Sequence, residues 1–97
     1  MTKTTILETL NRHSSEILAR YGAKNISLFG SAARDALCEG SDIDVLVEFK
    51  GVPTYDAYFG LKDYLESLLG RLVDLVTDKG LKPRARRLVE KELIRIA

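Results

Sequence analysis

Asp42 and Asp44 stand two residues apart where an apolar, β-branched run begins, Ile43-Asp44-Val45-Leu46-Val47-Glu48-Phe49. Side chains alternate along a strand, so both carboxylates share one face while Ile43 and Val45 turn to the other. Two carboxylates on one face repel each other unless a cation lies between them, and hard oxygen donors favour Mg²⁺. A turn aspartate at 42 followed by an exposed edge-strand aspartate at 44 accounts for the same spacing without chemistry. Upstream, Gly30-Ser31 separates a short apolar run from a short helical segment. Main-chain N–H groups at such a junction face an open helix start, which attracts phosphate. Glycine lets the phosphate approach the main chain, and the Ser31 hydroxyl adds a donor. A serine that merely caps the helix is the commoner use of such a pair. The two elements reinforce each other: Gly30-Ser31, ten residues, Asp42, one residue, Asp44. A short helix and a turn between them would return the second strand beside the first, so that phosphate donors and carboxylates face one pocket.

The elements that must hold this arrangement follow from periodicity. Residues 4–21 carry Ile6, Leu7, Leu10, Ile17, Leu18 and Tyr21 at helical spacing and predict one helix, with Gly22 at its C-cap. Asn25 to Phe29 reads as a strand, Ala32 to Leu37 as a short helix, and Glu39-Gly40-Ser41 as a turn. Ile43 to Phe49 is the clearest strand. After a loop over Lys50-Gly51-Val52-Pro53, Thr54 is a good N-cap for a helix to about Leu69, which Gly70 ends. Its Tyr58, Leu61, Leu65 and Leu68 form a packing face, which makes core the favoured reading for Tyr55, Phe59 and Tyr64 as well. Arg71 to Thr77 predicts a third strand and Asp78-Lys79-Gly80 a turn. Pro83 suits the first turn of a last helix carrying Leu88, Val89, Leu93 and Ile96. The order α-β-α-β-α-β-α predicts an α/β (α+β) fold, a sheet with helices packed on it. No repeat, low-complexity stretch or linker interrupts it, so residues 1–97 read as a single domain.

Composition narrows the classes. Ninety-seven residues hold one core but not a core plus a substrate-binding lobe. Hydrophobic residues are 45% and charged residues 30%, as in an ordinary globular domain. The net charge of +1 excludes a whole-molecule field that draws the chain onto nucleic acid or membrane. It conceals an asymmetry: residues 79–97 hold seven basic and two acidic side chains, +5, which leaves −4 on residues 1–78. Such a tail suits an anionic ligand or an acidic partner face, or is simply a solvated helix face. Cys38, the single cysteine, forms no internal disulfide and is read as inert, and a cytoplasmic setting is expected. No apolar run approaches a membrane span, and the stretch from Met1 to Thr5 leads into an amphipathic pattern instead of a signal-peptide core. His13 lies in a polar stretch and reads as a surface residue.

The stretch Ser27-Leu28-Phe29-Gly30-Ser31-Ala32-Ala33-Arg34, continued by Ser41-Asp42-Ile43-Asp44-Val45-Leu46-Val47, resembles the minimal nucleotidyltransferases of the DNA polymerase β superfamily. More closely, it is similar to the small MNT-type antitoxins that accompany HEPN-domain toxins in bacteria and archaea. The resemblance implies the small nucleotidyltransferase fold, with a three- to four-stranded mixed sheet. It also implies a third carboxylate on a neighbouring strand, which Leu72-Val73-Asp74-Leu75-Val76 supplies. A charge inside an apolar strand is costly unless paired or metal-bound, which favours Asp74 over Asp78 and Glu48 near strand ends. On this reading Asp42, Asp44 and Asp74 hold two Mg²⁺ ions, and Gly30 and Ser31 hold the triphosphate of ATP. Arg34 steers a phosphate or pairs with a carboxylate. Relatives often carry glycine where this chain has Asp35, which is read as capping or pairing with Arg34, not as a ligand.

The activity so implied is transfer of AMP from ATP to a tyrosine hydroxyl of a cognate HEPN-type RNase toxin, with release of pyrophosphate. The missing acceptor lobe agrees with an acceptor that brings its own scaffold, and the basic tail offers it a docking face. The alternative is an antitoxin that neutralises its toxin by binding alone. Transfer to a small molecule such as an aminoglycoside is disfavoured by the same missing lobe.

Overall fold

The computed structural model describes residues 2–38 and 40–97, so Met1 and the Glu39 part of the expected turn lie outside the described residues. Helix α1 spans Lys3–Arg12 and is capped by Thr2, whose hydroxyl accepts the Thr5 N–H at 3.3 Å. The helix expected over 4–21 is in fact two. His13 (φ −106°, ψ 8°) breaks it, and α2 spans Ser14–Tyr21. Asn11, His13, Ser14 and Ser15 are weak helix formers, and the Ser14 hydroxyl donates to the Asn11 carbonyl at 2.9 Å. Such local side-chain bonds compete with the helical ladder. Gly22, at φ +67°, ends α2 where expected.

Strand β1 (Ala23–Phe29) leads into α3 (Gly30–Ala33), and β2 follows over Ile43–Phe49 as expected. The helix expected over Ala32 to Leu37 begins earlier and lasts four residues. Asp35 sits at φ +56°, and its Oδ1 accepts the Lys3 N–H at 2.9 Å. The chain therefore leaves the helix to cap α1, and Asp35 serves that helix start instead of Arg34. Helix α4 (Tyr55–Leu69) matches its expected bounds, with Thr54 accepting the Ala57 N–H at 3.0 Å and Gly70 at φ +66°. It crosses over to β3 (Val73–Thr77), a 3₁₀ turn (Asp78–Gly80) and α5 (Pro83–Glu92). Leu93 and Ile96 are not in that last helix. Ile94–Arg95 form β4, which pairs antiparallel with β1. A free β1 edge would leave N–H and C=O groups unpaired; instead Ile96 N–H reaches Ile26 O at 2.9 Å.

The sheet order is β3-β2-β1-β4, with β1 antiparallel to both neighbours and β2 parallel to β3. A parallel pair requires a crossover, which α4 provides. Ile26, Leu28, Ile43, Val45, Val73 and Leu75 belong to one buried cluster with Ile6, Leu10, Ile17, Leu61, Leu65 and Leu69. Tyr58 and Leu68 are only half-buried, and Tyr55 and Phe59 are exposed. Expected core in the first turn of α4 thus lies partly outside it. Among the described residues no helix is long and apolar enough to cross a membrane.

Candidate active site

Register brings the predicted residues together. Phe29, just before Gly30, is the partner of Asp44 across β1 and β2. Asp44 is in turn the partner of Asp74 across β2 and β3. One row therefore crosses three strands, from the start of α3 to the edge of the sheet. Alternation along β2 is as expected: Ile43 and Val45 are buried, and Asp44 is half-exposed. Asp42 lies one residue before β2 and is exposed.

Asp74 is exposed as well, which corrects one expectation. Its strand is at the sheet edge, so the carboxylate faces solvent and pays no burial cost. Its claim to the site rests on register with Asp44. Asp78 and Glu48 take no part in the row. Asp78 accepts from Arg86 Nη1 at 2.8 Å, and Glu48 accepts from the Asn25 amide at 3.2 Å. That bond, assisted by Lys24 and opposed by burial, holds the Glu48 carboxyl below the usual range.

The Asp44 carboxyl is held above the usual carboxylate range. Burial contributes most, then the negative charges of Asp74 and Asp42 and a hydrogen bond with Asp74, while Arg34 pulls the other way. Gly30 explains how Asp44 fits at all. It adopts φ +71°, and a β-carbon there would overlap the Asp44 carboxylate. Glycine thus serves the neighbouring aspartate, beyond the phosphate access expected from sequence. Ser31 is not the helix cap: Phe29 is, and no side chain caps α3. First-turn N–H groups left without a side-chain partner are anion donors.

Arg34, within the helix expected over Ala32 to Leu37, instead follows the last turn of α3 and pairs with Glu92 of α5. A residue the sequence reading passed over is Arg71. Its Nη2 donates to the Cys38 and Ser41 carbonyls at 2.7 and 2.9 Å. It also lines, with Asp42, Glu66 and Leu72, a cavity of about 550 Å³. Backbone carbonyls of a loop 30 residues away leave no mark in a sequence pattern.

Asp42, Asp44 and Asp74 offer only hard oxygen donors, the set that suits Mg²⁺. Among the described residues no three His, Cys, Asp or Glu side chains form a ready-made cage. The fit therefore rests on donor chemistry and on the mutual repulsion felt at Asp44.

Residues 10–96 match the nucleotidyltransferase domain family. The chain belongs to that family. Protein adenylyltransferase MntA of Thermococcus cleftensis is 39% identical over 85 residues, covering 88% of this chain and 86% of MntA. A solved minimal nucleotidyltransferase shares 40% identity at a TM-score of 0.83, covering 97% of this chain and 95% of that one. The fold is also that of an MNT antitoxin solved with a tri-AMPylated HEPN toxin of Shewanella oneidensis. That likeness has 22% identity and a TM-score of 0.68, over 94% of this chain and 71% of the other. Within the nucleotidyltransferase family, this chain is a minimal member of four strands.

Proposed function

We propose that this nucleotidyltransferase is an antitoxin that transfers AMP from ATP to a tyrosine hydroxyl of a HEPN-type RNase toxin. The observation that carries the reading is the row Phe29, Asp44, Asp74 with Gly30 packed against Asp44, in a chain that is 39% identical to a protein adenylyltransferase. Asp42, Asp44 and Asp74 would hold two Mg²⁺ ions. When bound, divalent ions of this kind lower the pKa of an attacking hydroxyl and neutralise charge on the phosphates. The chain's own work is positioning and charge. The first-turn N–H groups of α3 and the Ser31 hydroxyl orient the triphosphate. Asp74, at the open edge, stands where an incoming hydroxyl has access. The acceptor oxygen bonds to the α-phosphorus, the bond from that phosphorus to the β-phosphate oxygen breaks, and pyrophosphate leaves. The acceptor proton passes to solvent.

A protein acceptor agrees with a chain that devotes its one core to the sheet and its helices. The described residues form a single domain in this reading. An exposed, free Cys38 agrees with a reducing cytoplasm. Incubation with labelled ATP, Mg²⁺ and the protein encoded beside it should label that neighbour. The double variant Asp42→Ala/Asp44→Ala should label nothing. If that variant neutralised the toxin as well as the wild type does, inhibition by binding alone would replace this reading.

A further inference from the structure

Asp42 is held differently on its two sides. On the C-terminal side β2 begins at once, and Ile43 N–H donates to Leu72 O at 3.0 Å, one residue before β3. On the N-terminal side the described residues 34–38 and 40–41 belong to no helix or strand. Its turn is closed by Ser41 N–H on Cys38 O at 3.0 Å. The Arg71 guanidinium then grips both ends of that turn, the Cys38 and Ser41 carbonyls, through one nitrogen. Arg71 is itself rooted beside β3, two residues before Val73, whose N–H donates to Glu66 of α4 at 2.9 Å. The side chain thus ties the loop that delivers Asp42 to the strand that carries Asp74.

We propose that Arg71 is a positioning residue for the Asp42 carboxylate, acting through the Cys38–Ser41 turn. A metal-binding carboxylate one residue outside a strand keeps its direction only if the preceding backbone is held, and groups that orient ligands typically account for ~10–100-fold in metal affinity or activity. The inference rests on Asp42 serving the proposed metal site. Lysine at 71 could offer its ammonium donors to the same carbonyls, but the ammonium is more strongly hydrated and its stem is flexible, so it should restore only part of the effect.

The test uses the full chain with Arg71→Ala and Arg71→Lys. Amide hydrogen exchange at Ser41 and Asp42 should quicken in Arg71→Ala, and Mn²⁺ affinity, read by paramagnetic resonance without nucleotide, should fall about tenfold. In the transfer assay kcat should drop ~10–100-fold while KM for ATP changes less than about twofold, with Arg71→Lys between wild type and Arg71→Ala. Unchanged Mn²⁺ affinity in Arg71→Ala would overturn the proposal, as would a wild type that binds no Mn²⁺. If the alanine variant failed to fold, Arg71→Lys would decide by the same affinity. A wild type that binds Mn²⁺ but labels no protein would sink the transfer reading alone, and the Mn²⁺ comparison would still judge Arg71.

Discussion

Asp44 is the residue at which function and stability conflict. Its carboxyl is raised by burial and by Asp74 and Asp42, so the charged form is disfavoured in the fold. A carboxyl with a raised folded pKa contributes stability that is complete below its unfolded pKa and is lost as pH rises through the folded value. Mg²⁺ should therefore raise the melting temperature more at neutral pH than near the ordinary carboxylate pKa of about 4, a difference that differential scanning fluorimetry reads directly. Asp44→Asn relieves the same repulsion. It should melt higher than wild type in chelator while losing transfer activity, a trade expected where a site is built of like charges. Gly30→Ala has no such benefit. Left-handed backbone costs a side-chain residue roughly 1–2 kcal/mol, and the new methyl overlaps Asp44. Activity should vanish and the melting temperature fall.

Arg34, the residue that follows α3, pairs with Glu92 of α5. Both side chains are partly exposed, and pairs of that kind contribute only about 0–1 kcal/mol. Glu92→Ala should therefore barely move stability or transfer. The charge of Arg34 also reaches the site, where it is the smallest influence on Asp44 and the one that opposes the others. Arg34→Ala is expected to raise KM for ATP several-fold beyond Glu92→Ala. Equal kinetics for the two variants would reduce Arg34 to the ion pair. Helix α4 shows the opposite balance. Thr54 and Gly70 bound it in sequence and in structure alike, because cap and stop are local chemistry. The break at His13 is local chemistry too, in the weak helix formers from Asn11 to Ser15, which the apolar periodicity passes over; the early end of α3 was not legible in this way. Asp35 leaves α3 to accept from Lys3, 32 residues distant, and a helix propensity cannot register that partner.

Across the molecule, charge is segregated as the composition suggested. The exposed side chains of α5 include Arg84, Arg87 and Lys91, whereas Arg86 is committed to Asp78. If α5 is the face that meets an acidic partner, Arg84→Glu/Arg87→Glu should weaken complex formation in calorimetry, and the wild-type affinity should fall with added salt. A salt-independent affinity would place the partner elsewhere.

The spacing Gly30-Ser31, Asp42, Asp44 and the alternation of β2 were readable because they depend on neighbours in the chain: a turn, a period of two, a cap. The fold class followed from the same local rules. Asp74 entered by resemblance and by an argument from burial, yet it stands exposed, and what joins it to Asp44 is parallel register. Register, the pairing of β4 with β1, the approach of Asp44 to Gly30 and the hold of Arg71 on two carbonyls are contacts between distant segments. Each depends on how the elements pack against one another, and no local pattern of residue types encodes it. The ten residues between Ser31 and Asp42 announced a shared site; the sheet arranged which side chains meet there.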